Sequence, residues 1–188
     1  MITAISIACG GDRKKRRELD FYPTPPDATH ALMQFFESIG KKFNTVWEPA
    51  CGDGSMVKVI EQYGCRVIGT DITTGRDFTT CSLFGEFDAV ITNPPFELSQ
   101  VFIERALQCS PVVAMLLKSQ YWHSKKRIAL FEKTTPSYVL PLTWRPDFGG
   151  GGSPTMDVLW TVWLLGKCDT RYILLKKPEG AGLGIFGC

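Results

Sequence analysis

The stretch from Thr45 to Tyr63 constrains the fold of this chain more than any other. Thr45-Val46-Trp47 is a short β-favouring run that passes directly into Glu48-Pro49-Ala50-Cys51-Gly52-Asp53-Gly54. Met56, Val59, Ile60 and Tyr63 then recur at helical spacing. Strand, glycine loop and helix in succession form the first half of a nucleotide-binding βαβ unit, which calls for a parallel sheet flanked by helices. The loop is not the G-x-G-x-x-G of dinucleotide sites, and Glu48 and Asp53 would repel a pyrophosphate. An acidic glycine loop suits a ligand with positive groups instead, such as a sulfonium beside an amino-acid ammonium.

The alternation continues along the chain. Cys65 to Thr70 forms a second strand pattern ending at Asp71, about 20 residues after the glycine loop, the spacing that holds ribose hydroxyls. Asp77-Phe78 supplies an acid and an aromatic ring, which can grip adenine by its amine and its face. Phe87 to Thr92 is a third strand pattern. Leu98, Val101, Phe102 and Ala106 follow at helical spacing, and Pro111 to Leu117 is a fully buried strand pattern. Residues 125–133 are expected to be helical and Tyr138 to Leu140 a short strand. Asp157 to Leu165 and Tyr172 to Leu175 are expected to close the sheet as a hairpin around Gly166 to Thr170. Upstream, Thr24, Pro25 and Asp27 have the spacing of a helix start, with Thr24 as N-cap. Ala28, Leu32, Phe35, Phe36 and Ile39 share one face of that helix, and Gly40 is its natural stop. Thr143 to Met156 is a long loop with four consecutive glycines. Ordering them is entropically unfavourable, so the loop is expected to be mobile, functional or both.

Asn93-Pro94-Pro95-Phe96 sits where the third strand ends. The prolines stiffen the loop and supply no N–H, so carbonyls are left over. Asn93 adds an amide oxygen and Phe96 a flat apolar face. Acceptors beside a stacking surface suit a planar group bearing an NH2, such as the exocyclic amine of adenine. That amine is a poor nucleophile because its lone pair is delocalised. If Asn93 and the Pro94 carbonyl accept both N–H bonds, the nitrogen is drawn toward sp3 geometry and its lone pair aims at an electrophile opposite. This is positioning and electrostatic catalysis without a strong base.

Composition sets the class. The chain has 188 residues, 44% hydrophobic, with a net charge of +2, so overall charge implies no partner. The cations are clustered: Arg13-Lys14-Lys15-Arg16-Arg17 near the start, and Lys118 with Lys125-Lys126-Arg127 around Tyr121 and Trp122. Such basic and aromatic segments can meet phosphates and bases. Seven cysteines without a C-x-x-C pair argue against a disulfide framework or a zinc site and fit a reducing cytoplasm. No apolar run approaches membrane-span length. The mildly apolar start lacks the basic region of a signal peptide.

Taken in order, these segments resemble the class I S-adenosylmethionine-dependent methyltransferases, and among them the small phage-type DNA adenine N6-methyltransferases. Tyr22-Pro23-Thr24-Pro25-Pro26 resembles the segment that touches the cofactor's methionine end. Glu48 to Gly54 resembles the cofactor loop, here through Glu48, Ala50, Cys51, Gly52 and Gly54. Asp71-Ile72 resembles the ribose-binding acid with its apolar neighbour, and Asp77-Phe78 the adenine-gripping pair. Asn93-Pro94-Pro95-Phe96 resembles the catalytic tetrapeptide, with Asn93 also bordering the cofactor.

The resemblance implies a Rossmann-like α/β fold. Its sheet would have seven mostly parallel strands, a terminal antiparallel hairpin and helices on both faces. Residues 1–20 would be a basic arm, 21–177 the catalytic domain and 178–188 a loose tail. The cofactor would be S-adenosylmethionine, with no metal. The partner would be DNA, with RNA or a protein glutamine as alternatives, and the protein a cytoplasmic monomer or weak dimer. Little chain after the tetrapeptide is spare for a target-recognition domain. Sequence reading is therefore expected to be short or relaxed and to fall on Arg13–Arg17, Lys118–Arg127 and the loop bearing Trp144, Arg145 and Phe148.

Overall fold

The apolar runs become β1 (Thr45–Glu48), β2 (Arg66–Gly69), β3 (Ala89–Thr92), β4 (Val112–Lys118), β5 (Tyr138–Pro141), β6 (Val158–Leu164) and β7 (Arg171–Tyr172). The structure, a computed structural model, describes residues 23–82, 87–167 and 169–179. These strands pair into one sheet in the order β2-β1-β3-β4-β6-β5-β7. β2, β1, β3 and β4 run parallel. β6 runs against both β4 and β5, and β7 lies parallel to β5. One strand of the seven is therefore reversed.

The helices are α1 (Pro26–Ser38), α2 (Ser55–Glu61), α3 (Ser99–Cys109) and α4 (Ile128–Lys133). Strand periodicity assigns them to faces, because successive side chains point to opposite sides of a sheet. Val46, Ile91, Ala114, Leu116 and Trp160 pack with Leu32 and Phe36 of α1 and Met56 and Ile60 of α2. Their neighbours in sequence, Trp47, Val90, Val113, Met115 and Leu117, pack with Phe102, Ile103 and Ala106 of α3 and Leu130 of α4. The two cores explain why β3 and β4 have no polar face. The Trp160 indole N–H also donates to the Ala28 carbonyl at 2.9 Å, pinning β6 to α1.

Two expectations need correction. The closing strands do not form a hairpin with each other. β6 is apolar on both faces and needs a central position, and it takes one with a seven-residue register against β4. Arg171 and Tyr172 are exposed, and they take the sheet edge beside β5. The antiparallel pair next to each other in sequence is β5–β6, joined by the glycine-rich loop. The second correction is at α1, where Pro25 is the N-cap and no side chain among the described residues caps the helix. Thr24 is occupied elsewhere. The expected arm (1–20) and all but two residues of the expected tail (178–188) lie outside the described residues. Among the described residues no helix is long and apolar enough to cross a membrane.

The order reverses between β1 and β3: β1 leads outward to β2, and the chain then returns to place β3 on the other side. In open α/β sheets ligands bind at such a switch point, outside the carboxyl ends of the strands. The glycine loop leaves β1 there, and Asn93 leaves β3.

Candidate active site

The glycine loop is shaped by close approaches. Gly52 and Gly54 adopt positive φ, 50° and 76°, conformations that a side chain resists. Gly69 is needed for space: a Cβ on it would lie 3.1 Å from both Cys51 Cβ and Val57 Cγ2. The loop is tied to the end of β2 by Cys51 N–H to the Thr70 carbonyl at 3.0 Å. Gly52 N–H donates to Asp71 Oδ2 at 3.0 Å. Trp47 Nε1 reaches Thr70 Oγ1 at 2.9 Å from beneath.

Asp71 organises this region. Its Oδ1 accepts from Thr73 N–H at 2.9 Å and Thr73 Oγ1 at 2.7 Å. Burial pushes its pKa up, but the Thr73 hydroxyl, the Thr73 N–H and the Gly52 N–H outweigh that and hold it below the usual value. It therefore stays ionised, with acceptor capacity left on Oδ2. Ile72 beside it is 67% exposed, an apolar surface at the mouth of the loop. Asp71→Ala is expected to cost about 1.5–3 kcal/mol of stability, since it removes charged hydrogen bonds. It should also weaken ligand binding at the loop at least about tenfold. Because the folded pKa is lowered, Asp71's contribution is present above the ordinary aspartate value and is lost as pH falls through the folded one. Denaturant melts at neutral and acidic pH check this: an Asp71→Ala deficit that does not shrink in acid would remove Asp71 from the role.

Glu48 ends β1 and is 2% exposed. Burial, then Asp53 and Asp71, push its pKa well above the usual value, while a backbone hydrogen bond at Val57 opposes them. Among the described residues its Oε2 has no hydrogen-bond partner. Asp53 instead turns to the first residue of α2, accepting from Ser55 N–H and Oγ at 3.0 and 2.6 Å.

Across the cleft, Asn93 Nδ2 donates to Thr24 Oγ1 at 3.1 Å. That bond takes up Thr24, which is 6% exposed, and leaves the Asn93 carbonyl oxygen to accept. The Pro95 carbonyl is taken by Leu98 N–H at 2.9 Å, whereas nothing among the described residues donates to the Pro94 carbonyl. Phe96 is half-buried, with the Lys118 ammonium 3.8 Å from its ring centroid.

One cleft joins the two halves. Glu48, Ala50, Cys51, Gly52 and Asp71 line one side, and Thr24, Asn93, Pro94, Pro95 and Phe96 the other. Pro23, Asp53, Ser55 and Met56 complete the lining; of these, the sequence pointed to Pro23, within the segment before α1, and to Asp53, and it missed Ser55 and Met56.

Other expected site residues fall elsewhere. Phe78 is 2% exposed, packed against Trp47 and Phe102 at centroid distances of 4.9 and 4.8 Å. Its face is not open to an adenine ring. Asp77 accepts from Thr79 N–H and Oγ1 at 2.8 and 2.7 Å, bonds that hold its pKa down. Tyr121 is 6% exposed, with the Arg127 guanidinium 3.8 Å over its ring. Arg127 also donates to the Tyr121 carbonyl at 2.7 Å, so this pair is structural. Trp122 stacks on Phe131 at 4.3 Å and 10°, which covers one face of the indole. Lys125 and Lys126 are exposed. Trp144 Nε1 donates to Asp27 Oδ2 at 2.8 Å, and Phe148 packs against the core; both rings are half-buried. Arg145 pairs with Asp157 at 2.7 Å. Tyr22, Gly54's distant companion in the expected cofactor set, and Arg13–Arg17 lie outside the described residues.

No family model matches the sequence, and no curated protein does. Solved structures do. A candidate RNA methyltransferase from Pyrococcus horikoshii aligns with a TM-score of 0.62 at 17% identity, over 78% of this chain and 89% of its own. A modification subunit of a candidate type I restriction enzyme from Vibrio vulnificus aligns at 0.58 and 13% identity, over 89% of this chain. The chain spans half the length of that subunit. At these identities the likeness establishes the architecture: the chain has the Rossmann-like α/β fold found in class I methyltransferases.

Proposed function

We propose that the chain binds S-adenosylmethionine and methylates the exocyclic N6 amine of adenine in DNA. The observation that carries this reading is the Asn93–Thr24 bond. It engages one N–H of the Asn93 amide, fixing the amide's orientation, and leaves Asn93 Oδ1 and the Pro94 carbonyl as acceptors on residues that line a cleft shared with an acidic glycine loop. The residues suit the cofactor. Glu48, which lines the cleft with no partner for its Oε2 among the described residues, offers an acceptor for a positive donor, Asp71 retains a lone pair for a ribose hydroxyl, and Ile72 offers an apolar surface for an adenine. When bound, the cofactor supplies a methyl group on a sulfonium, which an amine lone pair can take with loss of one amine proton to water.

The chain's own part is positioning. Asn93 and Pro94 accept the two N–H bonds of the target amine, and Phe96 stacks on its ring. An adenine within a duplex must leave the stack to reach them. The similar structures carry both an RNA and a restriction-modification description, so the decisive assay offers alternatives. Labelled S-adenosylmethionine is supplied with duplex DNA, with RNA and with a glutamine-bearing peptide, and the products are hydrolysed. The expected result is label in N6-methyladenine from DNA. Label confined to RNA nucleosides or to glutamine would sink the DNA reading.

A further inference from the structure

A second recess lies farther along the same edge of the sheet. Ser119 follows β4, Leu142 to Arg145 follow β5, and Asp157 precedes β6; all line it. The sheet order puts it on the far side of Asn93 from the glycine loop. Two contacts fix its position. Ser119 N–H donates to the Asp157 carbonyl at 2.9 Å. Lys118, one residue earlier, reaches back to Phe96. The recess is therefore one residue removed from the side chain that contacts the stacking surface.

Its floor is rigid. Leu142 and Trp144 pack on the core, and the Trp144 indole is held by Asp27. Asp27 is buried in the first turn of α1, three residues after Thr24, the partner of Asn93. The wall is polar and open: Arg145 and Asp157 side chains are 57% and 50% exposed. Only Arg145 Nε and Asp157 Oδ1 are engaged in their pair. Guanidinium N–H donors therefore stand beside a carboxylate acceptor at the surface.

We infer that this recess receives the nucleotide adjoining the target adenine, and that the Arg145–Asp157 pair reads the edge of its base. The inference rests on the function proposed above and adds a reading element to it. A donor beside an acceptor complements a base edge that carries an exocyclic amine. Adenine presents N7 as acceptor and N6 as donor, and cytosine presents its N4 amine. Guanine and thymine edges present acceptors in the major groove and would face the Asp157 carboxylate unpaired. The enzyme therefore favours adenine or cytosine at one adjoining position.

The test methylates a mixed-sequence DNA duplex pool and maps every N6-methyladenine, for wild type, Arg145→Ala and Asp157→Ala. Both side chains are half-exposed, so the variants should fold, and thermal melts confirm it. Wild type is expected to prefer adenine or cytosine at one neighbour on the order of ten- to a hundredfold. Each variant should flatten that preference while S-adenosylmethionine affinity by calorimetry stays unchanged. Methylation with no neighbour preference, or with one that survives both substitutions, overturns this inference alone. Absence of N6-methyladenine from every wild-type reaction overturns the proposed function, and this inference with it.

Discussion

Asn93→Ala is expected to lower methyl transfer to DNA adenine at least about 10²–10³-fold, the loss seen when one preorganised polar contact to a transition state is removed. Cofactor affinity should change little. The asymmetry follows from the site. Asn93 borders the cleft, one of its amide N–H groups is held by Thr24, and on the proposed reading its carbonyl oxygen accepts from the incoming amine. An acceptor that strengthens as the nitrogen gains sp3 character acts on the transition state, so the loss should fall on kcat rather than on binding. Single-turnover rates at saturating cofactor measure this, with calorimetry beside them. Near wild-type turnover in Asn93→Ala would exclude the positioning mechanism.

The parts of the site that were legible in the sequence were those set by backbone chemistry. Paired prolines after an apolar strand, and glycines in an acidic loop, restrict the chain wherever it goes. Their mutual approach follows once β1 and β3 are neighbours. The unread parts depended on which partner a side chain finds far away in sequence. Thr24 has the spacing of an N-cap, yet its hydroxyl lies against Asn93, 69 positions along the chain. Asp27 has the spacing of a capping-box acid, yet it accepts from Trp144 at a separation of 117. Phe78 follows an acid as an adenine-gripping ring would. An aromatic beside a sheet face that already holds Trp47 gains more by burial than by waiting for a ligand. The closing strands were misassigned because loop length favours neighbours in sequence. The choice was made by burial: a strand with apolar residues on both faces needs two covered faces, and β6 finds them between β4 and β5.

Glu48→Gln is expected to stabilise the ligand-free protein at neutral and higher pH, and at the same time to weaken cofactor binding. Both effects follow from one buried carboxyl. Glu48 lies beneath the cleft with Oε2 unpartnered. Burial first, and then Asp53 and Asp71, hold its proton on. The folded chain thus keeps a proton that the unfolded chain, with glutamate near its ordinary value of about 4.3, gives up. Stability is full below that value and falls as pH rises from it through the raised folded pKa. Glutamine has nearly the same shape and no charge to bury, so its melting temperature should decline less over that window. Each 1 kcal/mol gained raises the melting temperature by about 2–4 °C at this size. Binding runs the other way. A positive group beside Oε2 favours the carboxylate, so binding to the wild type should release a proton and tighten as pH rises. Glutamine can do neither. It forfeits a charged hydrogen bond of about 1.5–3 kcal/mol, roughly a ten- to hundredfold loss of affinity. Calorimetry in buffers of different ionisation enthalpy counts the released proton. If wild type and Glu48→Gln release the same number, or bind with the same pH slope, Glu48 does not face the cofactor's charge and the cleft's acidity has another purpose.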